Sequence, residues 1–304
     1  MASENKLQAV WVPVTRESLE HMTQQFSQAC ARRDSPLAEV QKLGQNLFSL
    51  LVQPVNEELS AKSLIRVELD RSLSSLPFEA LRSPEGWYLG EKYPIVYSPG
   101  ILYERHLRQP ANVSSSAPFL LADAAGGSFL PGHDLERSTI QKLFPKATVL
   151  GPEANSAAIM TPLGQSAIFG FIGHGEPYAT GTGLRMNPHL LLQAENFSPH
   201  SLRHLQMAVL AACSTGSSGT DGLLDNRNLV HAFLAGGVPN VVASRWNVDA
   251  EATAMLISSF YTNHVGHESA PDALFAARNQ ILKTKPTYSH PYYWAAFSVT
   301  GKVN

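Results

Sequence analysis

Two apolar runs in this 304-residue chain each end in a residue able to do nucleophilic or proton-transfer chemistry. Residues 167–173, Ala-Ile-Phe-Gly-Phe-Ile-Gly, stop at His174-Gly175, and residues 207–212, Met-Ala-Val-Leu-Ala-Ala, stop at Cys213-Ser214-Thr215-Gly216. Short unbroken apolar runs bounded by glycine read as strands buried on both faces, and parallel sheets gather reacting groups at the carboxyl ends of such strands. A thiol with a pKa of about 8.5 is only slightly ionised at neutral pH, so it becomes a useful nucleophile only beside a base. An imidazole at another strand end could face Cys213 and serve. Taken singly, a strand-end Cys reads as packing and a strand-end His as a partner for a backbone carbonyl.

The elements that must position this pair follow from periodicity. Leu19, Met22, Phe26 and Ala29 mark an amphipathic helix over 15–32 with Thr15 as its cap, and Leu37, Val40, Leu43, Leu47, Leu50 and Leu51 mark a second over 36–52 that starts at Pro36. Residues 64–69 alternate as a half-exposed strand, and with 76–81 and 93–97 they read as a small antiparallel or mixed lobe over 61–110. The run 109–118, Gln-Pro-Ala-Asn-Val-Ser-Ser-Ser-Ala-Pro, has linker composition, although the two sides could share one sheet. Beyond it, strands at 119–123, 147–150, 167–173, 207–212, 238–245 and 293–299 are expected. They are separated by helices at 134–144, 154–162, 229–235, 249–264 and 271–282, and by a long excursion from 176 to 206. Strand-helix alternation implies right-handed crossovers, and hence an α/β fold: a three-layer αβα sandwich with a mostly parallel central sheet.

Composition narrows the function. The net charge is −2 with no basic block of five, which argues against nucleic acid or an anionic membrane as partner. No stretch approaches the roughly 20 apolar residues of a membrane span, and the amino terminus lacks a hydrophobic signal core, so a cytoplasmic location is expected. Only Cys30 and Cys213 occur, and no disulfide framework is expected from them; Cys30 reads as a small buried apolar residue. Gly126-Gly127 has no phosphate-loop pattern after it, and the histidines lack metal-ligand spacing, so no cofactor or metal is expected.

Four segments together, Ile172-Gly173-His174-Gly175, 210–216 (Leu-Ala-Ala-Cys-Ser-Thr-Gly), 232–238 (Ala-Phe-Leu-Ala-Gly-Gly-Val) and 242–249 (Val-Ala-Ser-Arg-Trp-Asn-Val-Asp), resemble the CHAT domain, a caspase-like peptidase module often joined to tetratricopeptide repeats. Residues 76–81 (Leu-Pro-Phe-Glu-Ala-Leu) and 293–297 (Tyr-Trp-Ala-Ala-Phe) are similar to its outlying signatures, in the expected order. No 34-residue helical period is visible in the chain itself.

The resemblance implies a single peptidase domain over 1–304: a helical part at 15–60, the β lobe at 61–110, and a caspase-like core at 118–301. It implies a His-Cys dyad of His174 and Cys213, with the backbone N–H groups of Gly175 and Cys213 holding the oxyanion. It also implies a protein or peptide substrate and a regulatory or repeat-type sensor partner. An adaptor that keeps the fold without cutting is the alternative. Several Arg- or Lys-cleaving relatives carry an acid two residues before the nucleophile; here that residue is Ala211. Arg245, Trp246 and Asp249 are the candidates for lining a substrate groove, and Asp249 is equally a helix N-cap.

Overall fold

The computed structural model describes residues 2–3, 6–7, 9–59, 64–100, 102–126, 130–178, 181–212, 228–266 and 268–303. Its centre is an eight-stranded sheet built from β1 (Ile65–Glu68), β2 (Ile95–Ser98), β3 (Phe119–Asp123), β4 (Thr148–Leu150), β5 (Ile168–Ile172), β9 (Met207–Ala211), β10 (Asn240–Ser244) and β11 (Phe297–Gly301). The spatial order is β1-β2-β11-β10-β9-β5-β3-β4. All neighbours are parallel except β10 and β11, so five strands run one way and three the other.

The sheet is covered on both sides, and its inner strands β3, β5, β9 and β10 are predominantly apolar and fully buried for that reason. Side chains alternate between two cores. Ile168, Ile172, Met207, Val209, Ala211 and Val242 face one, while Phe169, Phe171, Ala208, Leu210, Val241 and Ala243 face the other. The first core receives Phe26 and Cys30 of α1 (Arg16–Cys30), Leu47 and Phe48 of α2 (Leu37–Leu51), and Ile140 of α3 (His133–Leu143). It also takes Leu256 and Phe260 of α6 (Ala250–Val265) and Leu274 of α7 (Ala270–Leu282). The second receives Ile159 and Leu163 of α4 (Ser156–Leu163), and Phe233 and Leu234 of α5 (Leu229–Ala235). This is the αβα sandwich expected from the alternation.

The caps fall where the sequence suggests. Thr15 accepts from the Ser18 N–H at the start of α1, and α5 ends at Gly236, followed by Gly237 at φ 79°.

Three expectations change. The strands of 61–110 do not stand apart as a lobe, because β1 and β2 pair in parallel and join the main sheet through β11. The excursion after His174 carries its own antiparallel sheet, β6 (His174–Tyr178), β7 (Gly181–Asn187) and β8 (Leu190–Leu192). The last strand starts at Phe297 rather than Tyr293, since 291–294 form a helical turn opened by Pro291, whose ring suits a first helical position.

Candidate active site

β5 and β9 lie side by side, with Ile172 in register with Ala211, so both apolar runs end at the same edge of the sheet. His174 follows directly and is exposed at the start of β6. Gly173 makes the bend between β5 and β6 at φ 157°, where a Cβ would come 2.8 Å from the Ala124 methyl and 3.0 Å from the Phe171 ring. Only glycine fits this turn, because a side chain would meet both strain and a collision. β6 is then locked to β7: His174 pairs with Arg185, and Arg185 makes two 2.6 Å contacts with the Glu176 carboxylate through Nε and Nη2. That ion pair draws the Glu176 carboxyl below, and the Arg185 guanidinium above, their ordinary values. Gly175 is half-buried opposite Leu184.

Cys213 lies outside the described residues. The approach to Cys213 is well held. Ala212 is buried, and its carbonyl accepts a 2.5 Å hydrogen bond from Ser244 Oγ at the end of β10, itself wholly buried. Ser244 is a positioning group that sequence reasoning passes over. A serine closing an apolar strand before an Arg-Trp pair looks like a strand end and nothing more.

A cavity of about 110 Å³ opens at this edge, lined by Ile172, Gly173, His174, Ala211 and Ala212 on the sheet side. Leu130, Pro131, His133 and Glu136 close it from around the start of α3, and Val248, Ala250, Thr253 and Ala254 close it from around the start of α6. The acid that holds the lining residue His133 is Asp123, the last residue of β3 and fully buried. His133 Nε2 lies 2.8 and 3.0 Å from its two oxygens, and Arg137 Nη1 donates to it at 2.9 Å. Burial, and then the nearby Asp123 charge, push the Glu136 carboxyl well up. None of these four stands out in the sequence, since Asp123 closes β3 while His133, Glu136 and Arg137 lie on α3, ten or more residues on.

The expected groove residues disperse. Trp246 is buried in the first core with its indole N–H donating to the Tyr292 carbonyl at 3.2 Å, so it anchors the chain beyond β10 and offers no face for stacking. Arg245 turns away from β9 onto β2, its guanidinium 4.2 Å from the Tyr97 ring centroid, with Nε and Nη2 buried and unbonded among the described residues. Asp249 is the N-cap of α6, accepting from the Ala252 N–H at 2.9 Å, while its neighbours Val248 and Ala250 line the cavity.

The sequence matches the CHAT domain over residues 41–302. The chain belongs to the CHAT domain family. Among curated proteins it is similar to tetratricopeptide repeat protein 28 of Homo sapiens, 25% identical across 92% of this chain, and of Mus musculus, 24% identical across 84%. This CHAT chain spans 14% and 13% of the length of those relatives. Among solved structures it resembles Saccharomyces cerevisiae separase in its complex with securin, with a TM-score of 0.53 at 16% identity over 84% of this chain and 17% of that one. Porphyromonas gingivalis RgpB gives a TM-score of 0.47 at 13% identity, covering 94% and 76%. The likeness of this CHAT chain to separase is one of fold. Among the described residues no helix is long and apolar enough to cross a membrane.

Proposed function

We propose that the chain is a cysteine endopeptidase cleaving a protein or peptide substrate, with Cys213 as nucleophile and His174 as its acid-base partner. One observation carries the reading: exposed His174 and Ala212, the residue before Cys213, line a single cavity at paired strand ends. The Cys213 thiolate would attack the substrate carbonyl, and the N–H groups of Gly175 and Cys213 would hold the oxyanion. As the C–N bond breaks, His174 gives a proton to the leaving amine; it then takes one from the water that hydrolyses the thioester. The cytoplasm suits this chemistry, since thiols stay reduced there.

The relatives named as tetratricopeptide repeat proteins support a repeat-type partner or linked segment as the regulator. They equally favour a second reading, in which the domain is a scaffold for protein contacts and does not cut.

The deciding experiment is labelling of the purified chain with a peptidyl thiol-reactive electrophile. Labelling that is abolished in Cys213→Ala, falls at least tenfold in His174→Ala and is unchanged in Cys30→Ala supports the peptidase. Labelling of wild type no faster than that of a free thiol, and indifferent to His174→Ala, supports the scaffold.

A further inference from the structure

We infer that the cavity beside His174 is a specificity pocket for a small, uncharged aliphatic side chain of the substrate. The inference rests on the peptidase reading and adds the substrate class. Size is the first argument. A cavity of about 150 Å³ accommodates benzene, and the volume here is about 110 Å³. That volume favours alanine, valine and leucine side chains over the ring of phenylalanine or the full length of arginine.

Lining chemistry is the second argument. Most of the wall is apolar: Leu130, Pro131, Ile172, Val248, Ala250 and Ala254. Its polar members among the described residues are His133, Glu136, His174 and Thr253. His133 is held by the buried carboxylate of Asp123, which does not line the pocket and whose oxygens face His133 and Arg137, so Asp123 is not set to receive a basic side chain. His174 is committed to the proposed proton transfer, and no Lys or Arg among the described residues lines the wall to receive an acidic side chain. Glu136 reaches the wall from a site that favours its protonated form. A charged side chain entering this space would lose its hydration without gaining a partner, which is costly. An aliphatic one would exchange water for apolar contact.

Location is the third argument. The pocket's sheet-side wall carries His174 and Ala212, the residue before Cys213, so a side chain seated in it belongs to a residue at or next to the proposed cleaved bond.

The test separates binding from cutting. Capped heptapeptides differing only in one residue (Ala, Val, Leu, Phe, Arg, Lys or Asp) would be measured for equilibrium binding to Cys213→Ala, which cannot react. Matching electrophilic peptides would be used to label the wild type. A hydrophobic pocket discriminates groups that misfit it by about 10- to 100-fold, so the aliphatic peptides should win by at least tenfold in both assays. Ala250→Phe and Val248→Trp, two rim substitutions at half-buried positions, should each remove that preference.

Labelling of wild type with Arg, Lys, Asp or Phe preferred, or a preference that survives both rim variants, overturns the pocket and leaves the peptidase standing. Aliphatic preference in binding with no labelling at all keeps the pocket and sinks the peptidase. Neither binding preference nor labelling overturns both.

Discussion

Gly173 and Glu136 show how single residues shape this site. Gly173 permits the bend that brings His174 to the end of β5, with no room for a methyl group. Gly173→Ala should cost about 1–3 kcal/mol, the usual range for a residue forced into a sparsely populated conformation. It should also slow Cys213 labelling beyond what stability explains, measurable as midpoint and labelling rate together. Glu136 has a pKa raised by burial and by Asp123, and Tyr261, whose own pKa is raised partly by Glu136, also faces it. The unfolded chain then releases this proton first as pH rises, so folding stability falls between the unfolded and folded pKa values of Glu136. Glu136→Gln, neutral at every pH, should raise the melting temperature at pH 7 and above and change it little at pH 4. The strand-end position of His174 is legible from the sequence because it closes an unbroken apolar run. Asp123 with His133 is not, since residues ten apart across a loop carry no periodic mark.

At the scale of elements, the buried strands declare themselves and the exposed ones do not. β3, β5, β9 and β10 are apolar on both faces and read directly. β6 to β8 mix glycine, proline and charge, because one small sheet at the edge of the site has water beside it, and their alternation is lost. The residues 291–294 look like strand by their aromatic content, yet Pro291 sets a helical φ and tertiary packing completes the turn. Helix α6 gives a prediction proper to this scale. Asp249→Ala removes its cap and should cost about 1 kcal/mol, whereas Asp249→Ser keeps a capping oxygen and should recover most of that in a denaturation midpoint.

The molecule as a whole is two sets of strands joined along one seam. Strand direction is the feature least visible in sequence, because β11 looks like any other buried strand, yet it alone pairs antiparallel to β10 while running parallel to β2. A buried ion cluster lies beside this seam and ties β11 to β2 and α7. Glu79 and Arg278, both almost fully inaccessible, lie 3.7 Å apart; Tyr97 donates to Glu79 at 2.7 Å, and Arg278 donates to the Phe297 carbonyl of β11 at 3.2 Å. Glu79→Ala leaves Arg278 buried without its acid and should cost about 3–5 kcal/mol, read from chemical denaturation. The position of β11 has one more consequence, for synthesis. The strand that joins the two sets is made last of the eight, so β1 and β2 must wait through about two hundred residues of translation before anything links them to β10. Until Phe297–Gly301 leaves the ribosome, the nascent chain holds two partial sheets, each with an open edge where the other belongs.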